Sequence, residues 1–316
     1  MTTHRKPRIA IMGEFSSGKS TLCNVLLGAR PLLEKVTATQ LPPVWLSYGA
    51  APAYVEDLDG TRHPLDLADL ASVPLDGTGH IRVFLQSEML RYCDLIDMPG
   101  ISDPSMSPEV WERMTHLADG VLWCTHATQA WRQSESGVWD SFPASLRPSS
   151  LLLVTRFDKI IGDADRMRVL KRVQSETQGL FAGFYPISLT QAMAAGDDQE
   201  KWVASGGYAF TNALFDLIHR LADTDLTDGA FAGDAPDVVA DDLLADADQS
   251  PVASHFERLR EGRDTPVIHV VPRRVAAGGA RARRSEATAS TVIRFSDHAP
   301  AAVDGLRPAV NTSQGQ

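Results

Sequence analysis

The sequence predicts an α/β fold in which a mostly parallel β-sheet carries helices on both faces. Short apolar runs of strand length recur along residues 8–222, and such runs are typical of buried parallel strands. Segments with helical spacing of apolar residues lie between several of them. A glycine-rich segment separates the first strand from the first helix. Strands that alternate with helices indicate a sheet that is covered on both sides.

The individual elements are predicted from local patterns. The first strand covers 8–12, with the apolar run 9–12, and the first helix covers 19–27, where Leu22, Val25 and Leu26 share a face and Gly28 ends the helix. Asp59-Gly60 is a turn dipeptide between short extended segments. The other predicted strands are 44–48, 54–55, 81–85, 90–98, 120–124, 150–155 and 185–187, and the other predicted helices are 163–180 and 213–222.

Composition excludes several classes of protein. The 316 residues are 43% hydrophobic and 22% charged, which is typical of a globular chain. No apolar run reaches the roughly 18 residues that span a bilayer, so we expect a cytoplasmic protein. Three scattered cysteines, Cys23, Cys93 and Cys124, do not form a disulfide framework or a zinc motif and suit a reducing compartment. A net charge of −10 argues against nucleic acid as a partner.

Charge also divides the chain. Residues 1–7 are predicted to be a short basic N-terminal tail, residues 8–222 the folded domain, and residues 223–316 a largely disordered tail. From 223 to 250 there are nine aspartates and no basic residue, whereas 251–316 holds ten arginines, no lysine and six acids. The tail either binds a protein partner or is a solvated segment with no specific role. Its interleaved charges give weak support for membrane contact.

A phosphate-binding loop follows the first predicted strand. The sequence from Gly13 to Ser20, GEFSSGKS, matches the Walker A pattern and opens the first helix, so the fold is predicted to be that of a P-loop NTPase. Lys19 would reach the β- and γ-phosphates, and the Ser20 hydroxyl would bind Mg²⁺. The alternative is a chance Gly/Ser turn that caps a helix. The predicted nucleotide-binding residues here are Gly13, Glu14, Phe15, Ser16, Ser17, Gly18, Lys19, Ser20 and Thr21.

Two more constellations follow predicted strands. Asp97 would hold a Mg²⁺-bound water, and the Gly100 N–H can approach a γ-phosphate because glycine has no side chain. Asp158, in Thr155-Arg156-Phe157-Asp158, can accept both N1–H and N2–H₂ of guanine, which adenine does not offer. Ser188 stands where a loop could close over guanine O6. The alternative for Asp158 is a helix cap.

These motifs together resemble the bacterial dynamin-like GTPases. GEFSSGKSTLCNVLLG, from Gly13 to Gly28, is similar to the first motif of that family, LIDMPG at 95–100 to its third, and Thr155-Arg156-Phe157-Asp158 to its fourth, with arginine in place of the usual lysine. The resemblance covers residues 8–222, the GTPase domain only. No segment after 222 resembles the family's helical stalk, so membrane fission and stalk assembly are not implied.

The resemblance also implies catalytic roles. VTATQLPP at 36–43 is similar to the family's first switch, with Thr39 as the threonine that binds Mg²⁺ and positions water, or Thr37 in another register. Ser16, Lys19, Thr39 and Gly100 are thus the predicted catalytic residues, and Ser20, Thr39 and Asp97 the metal ligands. Phe15 stands where dynamins place glutamine. Because a phenyl ring donates no hydrogen bond to developing charge, we expect slow hydrolysis.

Arg132 and the tryptophans near it in sequence each have two interpretations. Arg132 could act on a partner's nucleotide, or it is a solvated arginine on a helix face. Trp131 lies between Trp123 and Trp139 in sequence, which indicates core packing or a dimer contact rather than a platform for stacking bases.

The predicted function is a GTP/GDP switch that hydrolyses GTP slowly with Mg²⁺. Its nucleotide-dependent partner could be a second copy or a related chain, bound through the GTPase face. One alternative is a GTP-binding scaffold with negligible hydrolysis. The other is an ATP-dependent P-loop enzyme in which Asp158 is coincidental.

Overall fold

A mixed β-sheet forms the centre of the computed structural model, which describes residues 5–28, 41–102 and 108–224. Within those residues the sheet has nine strands in the order β4-β3-β5-β2-β6-β1-β7-β8-β9. The strands are β1 Arg8–Gly13, β2 Val44–Tyr48, β3 Tyr54–Asp57, β4 Arg62–Pro64, β5 Thr78–Leu85, β6 Asp94–Asp97, β7 Gly120–His126, β8 Ser150–Thr155 and β9 Gly183–Pro186.

Eight α-helices accompany the sheet in the described part of the chain. They are α1 Lys19–Leu27, α2 Met89–Tyr92, α3 Pro108–Leu117, α4 Gln133–Asp140, α5 Asp163–Glu176, α6 Leu189–Ala195, α7 Gln199–Ala204 and α8 Gly207–Ala222. Short 3₁₀ turns cover Leu70–Ser72, Ala127–Gln129, Ala144–Ser149 and Phe157–Lys159.

Strand direction confirms the predicted mostly parallel sheet. The run β6-β1-β7-β8-β9 is parallel throughout, and β2 is parallel to β5. Antiparallel pairing joins β2 to β6 and builds the β3–β4 hairpin onto β5. Because parallel strands end at the same edge, the loops after β1, β6, β7, β8 and β9 gather on one side of the sheet.

The core has two layers, one on each face of the sheet. Alternate residues of β1 point to opposite faces: Ile9 and Ile11 pack with the apolar sides of α1 and α8, and Ala10 and Met12 pack with those of α3, α4 and α5. All four of these side chains are fully buried. The predicted helices on both faces are therefore confirmed, and the first loop begins at the end of a strand inside the sheet.

Some element predictions were wrong. Residues 90–98, predicted as one strand, form the end of α2 and then β6, since a short apolar run fits a buried helix as well as a strand. The last helix begins at Gly207, six positions before the predicted start. Strand β4 and helices α2, α3, α4, α6 and α7 were not predicted. No helix in the three described ranges is long and apolar enough to cross a membrane.

Candidate functional site

The phosphate loop lies between β1 and α1, as predicted. Gly13 ends β1 with φ of 139°, and a Cβ at this position would lie 2.1 Å from the carbonyl oxygen of Cys124 on β7. Gly18 precedes α1 with φ of 98°. Both positions need glycine, one for close backbone approach and both for a left-handed conformation. The loop thus has the compact backbone that a phosphate cradle requires.

Lys19 closes this loop through its side chain. Its Nζ donates to the carbonyl oxygens of Gly13 at 3.0 Å and Glu14 at 2.9 Å, and the residue is 9% exposed. The ammonium is therefore held inside the loop rather than in solvent. Ser20 and Thr21 lie in the first turn of α1, directly after it.

Asp97 ends β6, next to β1, where it pairs in register with Ile11. Its carboxylate is buried, and Oδ1 has no hydrogen-bond partner among the described residues. Burial raises the pKa of Asp97 to about 6, and the positive charge of Lys19 partly opposes this rise. A buried carboxylate oxygen without a donor, beside a lysine and the hydroxyl-bearing first turn of α1, fits a hydrated magnesium ion.

Gly100 lies directly against the phosphate loop. A Cβ on Gly100 would be 3.0 Å from the backbone nitrogen of Phe15. The Ile101 N–H donates to the Gly13 carbonyl oxygen at 3.2 Å. The Phe15 N–H donates to Ser102 Oγ at 3.0 Å. The segment after β6 therefore contacts the loop through backbone groups, so a side chain at position 100 would push the two segments apart.

The predicted guanine-binding residues come together at the ends of β8 and β9. Thr155 Oγ1 donates to the Ser17 carbonyl oxygen at 2.6 Å, which ties β8 to the phosphate loop. Arg156 has a left-handed backbone with φ of 52°, and its Nη2 donates to the carbonyl oxygen of Ser16 at 3.0 Å. The arginine found here in place of lysine therefore contacts the phosphate loop.

Asp158 and Ser188 lie together, as their predicted roles require. Burial raises the pKa of Asp158, but the hydrogen bond from Ser188 and the bonds from its own backbone and Lys159 outweigh burial, so the pKa is lowered. Asp158 is therefore a carboxylate at neutral pH and accepts hydrogen bonds. Ser188 also caps α6 by accepting from the Gln191 N–H at 3.4 Å.

Two residues near the loop, Ser102 and Ser134, were not predicted as parts of the site. Ser102 was signalled only by its closeness to Gly100. Glu14 is bonded by Ser134 Oγ at 2.6 Å and by Arg132 Nη1 at 3.0 Å. Arg132 is thus attached to the phosphate loop of its own chain, which neither of the two interpretations of this arginine foresaw. No local pattern links residues that are 118 positions apart.

The tryptophans belong to the core. Trp131 is 6% exposed and meets Trp123 and Phe181 edge-on, while Trp139 stacks on Phe181 at 4.3 Å between ring centroids. The expectation that they are not a platform for bases is consistent with this burial. Thr39 and its alternative Thr37 lie outside the described residues, and so does the tail from 225 to 316.

Comparison with known proteins finds a similar family. Residues 9–138 match the family model described as Dynamin family. This part of the chain is similar to the dynamin family. Dynamin-like protein 2 of Campylobacter jejuni subsp. jejuni serotype O:23/36 (strain 81-176) is 23% identical over 219 residues, which cover 66% of this chain. The chain spans about a third of that relative's length, since the match covers 34% of it.

Two solved structures resemble the described domain. Both are described as an oligomerised bacterial dynamin pair that provides a mechanism for the long-range sensing and tethering of membranes. They align with TM-scores of 0.50 and 0.54 at 18% identity, and the matches cover 69% of this chain and 40% of those chains. At this identity the likeness shows the fold alone. It agrees with the fold that the motifs predicted.

Proposed function

We propose that this protein binds GTP and hydrolyses it slowly with Mg²⁺, acting as a nucleotide switch. The observation that carries the proposal is the convergence of three loops on one edge of the sheet. These are the phosphate loop, the segment from Asp97 to Gly100, and the pair Asp158 and Ser188. Their connection through Thr155 and Ser17 supports one nucleotide site rather than three unrelated features.

Each residue has a role in this proposal. Backbone N–H groups and the Lys19 ammonium bind the phosphates; the residues concerned are Gly13, Ser16, Ser17, Gly18 and Lys19. Glu14, Phe15 and Thr21 border the same cradle. The Gly100 N–H donates to the γ-phosphate. Ser16 and Thr39 orient the γ-phosphate and the attacking water. Ser20, Thr39 and Asp97 would hold Mg²⁺, which when bound neutralises negative charge on the phosphate oxygens.

Base selection is assigned to the other end of the site. Asp158 would accept N1–H and N2–H₂ of guanine, Ser188 would lie over O6, and the stem of Arg156 would lie along the base after Thr155. The lowered pKa of Asp158 supports this role because only the ionised carboxyl accepts both donors. Adenine offers no such donor pair, which argues against the ATP alternative.

Slow turnover follows from the phosphate loop. Phe15 is 60% exposed and offers no polar side-chain atom near the phosphates. A dynamin-like glutamine at this position would supply one. If hydrolysis proves to be absent altogether, the function becomes that of a GTP-bound scaffold.

Nucleotide selectivity tests the proposal. Asp158→Asn is expected to weaken GTP binding by at least about tenfold, because hydrogen bonds to a charged group contribute about 1.5–3 kcal/mol each. The same variant should gain affinity for xanthosine triphosphate, since the asparagine amide donates to the xanthine 2-carbonyl. Titration of fluorescent GTP, ATP and xanthosine triphosphate measures both effects. Asp163→Asn, on a side chain that is 95% exposed near the same loop, is the matched control.

Turnover of GTP by the purified protein, with Lys19→Ala as the inactive control, separates the functions. GTP turnover without ATP turnover supports the switch. Tight GTP binding without turnover favours the scaffold. An unchanged preference for GTP in Asp158→Asn would show that the guanine assignment is wrong.

Nucleotide-dependent dimerisation through the GTPase face is the second part of the proposal. It rests on the solved structures with this fold, which are described as an oligomerised dynamin pair. The partner is either a second copy or a related chain. Sedimentation of the protein with GDP and aluminium fluoride tests the homodimer, and a species that stays monomeric at all concentrations would remove it.

A further inference from the structure

Arg132 and Glu14 form an ion pair at the rim of the phosphate loop. Arg132 Nη1 lies 3.0 Å from Glu14 Oε2, and Ser134 Oγ donates to Glu14 Oε1 at 2.6 Å. Both carboxylate oxygens are thus engaged by the start of α4. The Glu14 side chain is only 17% exposed, whereas that of Arg132 is 42% exposed. The guanidinium is therefore held at one end and open to solvent at the other.

The backbone that carries Arg132 is fixed from inside the protein. Trp131 has φ of 56°, a left-handed conformation that costs a bulky residue on the order of 1–3 kcal/mol. Its N–H donates to Thr125 Oγ1 at 2.9 Å, and the Arg132 N–H donates to Glu135 Oε2 at 3.0 Å. Glu135 is buried and also accepts from Trp123 Nε1 at 2.9 Å. A strained loop held by a buried network is typical of a functional site.

Positive charge gathers at this rim. Arg156 donates to the Ser16 carbonyl oxygen, and Lys19 donates to the carbonyl oxygen of Glu14. Arg132 reaches the same Glu14 through its side chain. The pKa of His126 is lowered by burial and then by the charges of Arg156 and Arg132. Three cations around one loop favour an anionic ligand between them.

We propose that Arg132 contacts the terminal phosphate of GTP bound to the same chain and that Glu14 and Ser134 position it. The proposal rests on the GTPase function above. A guanidinium has five N–H donors, so Arg132 can keep its bond to Glu14 and still donate to phosphate oxygens. In hydrolysis the water oxygen attacks the γ-phosphorus and the bond to the bridging oxygen breaks. The electron pair goes to the β-phosphate, and the proton goes to the released phosphate.

In this step Arg132 stays protonated and stabilises the charge that develops on the phosphate oxygens. It supplies the hydrogen-bond donors that Phe15 lacks, so the slow turnover expected of this protein depends on it. Glu14 and Ser134 are positioning residues because they act through Arg132.

Kinetics of Arg132→Ala test the assignment. Removal of a single charge-stabilising donor from an active site lowers kcat by about 10²–10³. We expect a loss of at least about tenfold with little change in KM. Arg132→Lys should recover only part of the rate, because one ammonium does not replace a planar fork that serves two anions. Arg147→Ala, at an exposed ion pair with Asp140, is the matched control and should retain wild-type turnover.

A binding measurement supplies a readout besides activity. Arg132→Ala should bind GDP about as tightly as the wild type but GDP with aluminium fluoride at least about tenfold more weakly, since only the latter mimics the transferring phosphoryl group. Glu14→Gln should show the same pattern with a smaller effect, because Arg132 remains but loses its ion pair with Glu14. Equal fluoride-complex affinities in wild type and Arg132→Ala would overturn the proposal.

Mixing two variants distinguishes action within one chain from action on a partner. Lys19→Ala keeps Arg132, and Arg132→Ala keeps the phosphate loop. If Arg132 acts in its own chain, the mixture turns over GTP no faster than Arg132→Ala alone. Restored turnover in the mixture would overturn the assignment within one chain. A wild-type protein that binds no GTP would instead show that the GTPase function is wrong.

Discussion

Replacing Asp97 with asparagine is expected to stabilise the metal-free protein. The pKa of Asp97 is raised from its ordinary 3.8 to about 6 because the carboxylate is buried. Each unit corresponds to about 1.4 kcal/mol, so keeping Asp97 ionised at neutral pH reduces the free energy of unfolding by about 3 kcal/mol. Asparagine has nearly the same shape and carries no charge, so it removes this penalty.

The sign of the pH dependence follows from the direction of the shift. A carboxyl whose pKa is raised in the folded state favours folding at pH values below its pKa in the unfolded state. This contribution is lost as the pH rises through about 6. Asp97→Asn should therefore increase the free energy of unfolding by about 3 kcal/mol near pH 7.5 and by about 1 kcal/mol near pH 4.5. For a domain of this size the larger value raises Tm by about 6–12 °C.

Thermal unfolding in EDTA at both pH values measures the effect, with Asp163→Asn as the exposed control. The reasoning is refuted if the Asp97→Asn protein melts at or below the wild-type temperature at neutral pH. A gain in Tm that does not shrink at the lower pH would refute it as well, because the stabilisation would then not come from the charge.

Two other substitutions test the loop and the core. Gly13→Ala is expected to abolish nucleotide binding, measured by fluorescent GDP titration, because the new Cβ would lie 2.1 Å from the Cys124 carbonyl oxygen. The control is Gly137→Ala in α4, where the added Cβ would have no neighbouring atom within 4 Å. This variant should leave nucleotide binding intact and stabilise the helix by about 0.5–1 kcal/mol. Trp123→Phe removes the N–H that bonds Glu135, so urea unfolding should show a loss of about 2–4 kcal/mol. A loss below about 1 kcal/mol would contradict this view of the core.

Much of the fold could be predicted because its signals are local. The run 151–154 is apolar at every position and lies within the buried strand β8, as predicted. Gly18 marks the start of α1, since its left-handed backbone, which favours glycine, directly precedes Lys19. Where the signal was ambiguous the prediction failed. Residues 90–98 are apolar enough for a strand, yet Met89 and Leu90 pack into the core from a short helix.

The sequence by itself was enough to predict the chemistry proposed for this protein. A glycine-rich loop with Lys19, an aspartate and glycine after β6, and Asp158 after β8 are each defined by a few adjacent residues, so their order along the chain is enough to predict a nucleotide site.

Only the tertiary structure decided how these parts connect. The antiparallel pairing of β2 with β6, the burial that raises the pKa of Asp97, and the contact of Arg132 with Glu14 all join distant segments. Such contacts depend on the path of the chain and on which surfaces pack together. The residues adjacent to a position in the sequence do not predict that path.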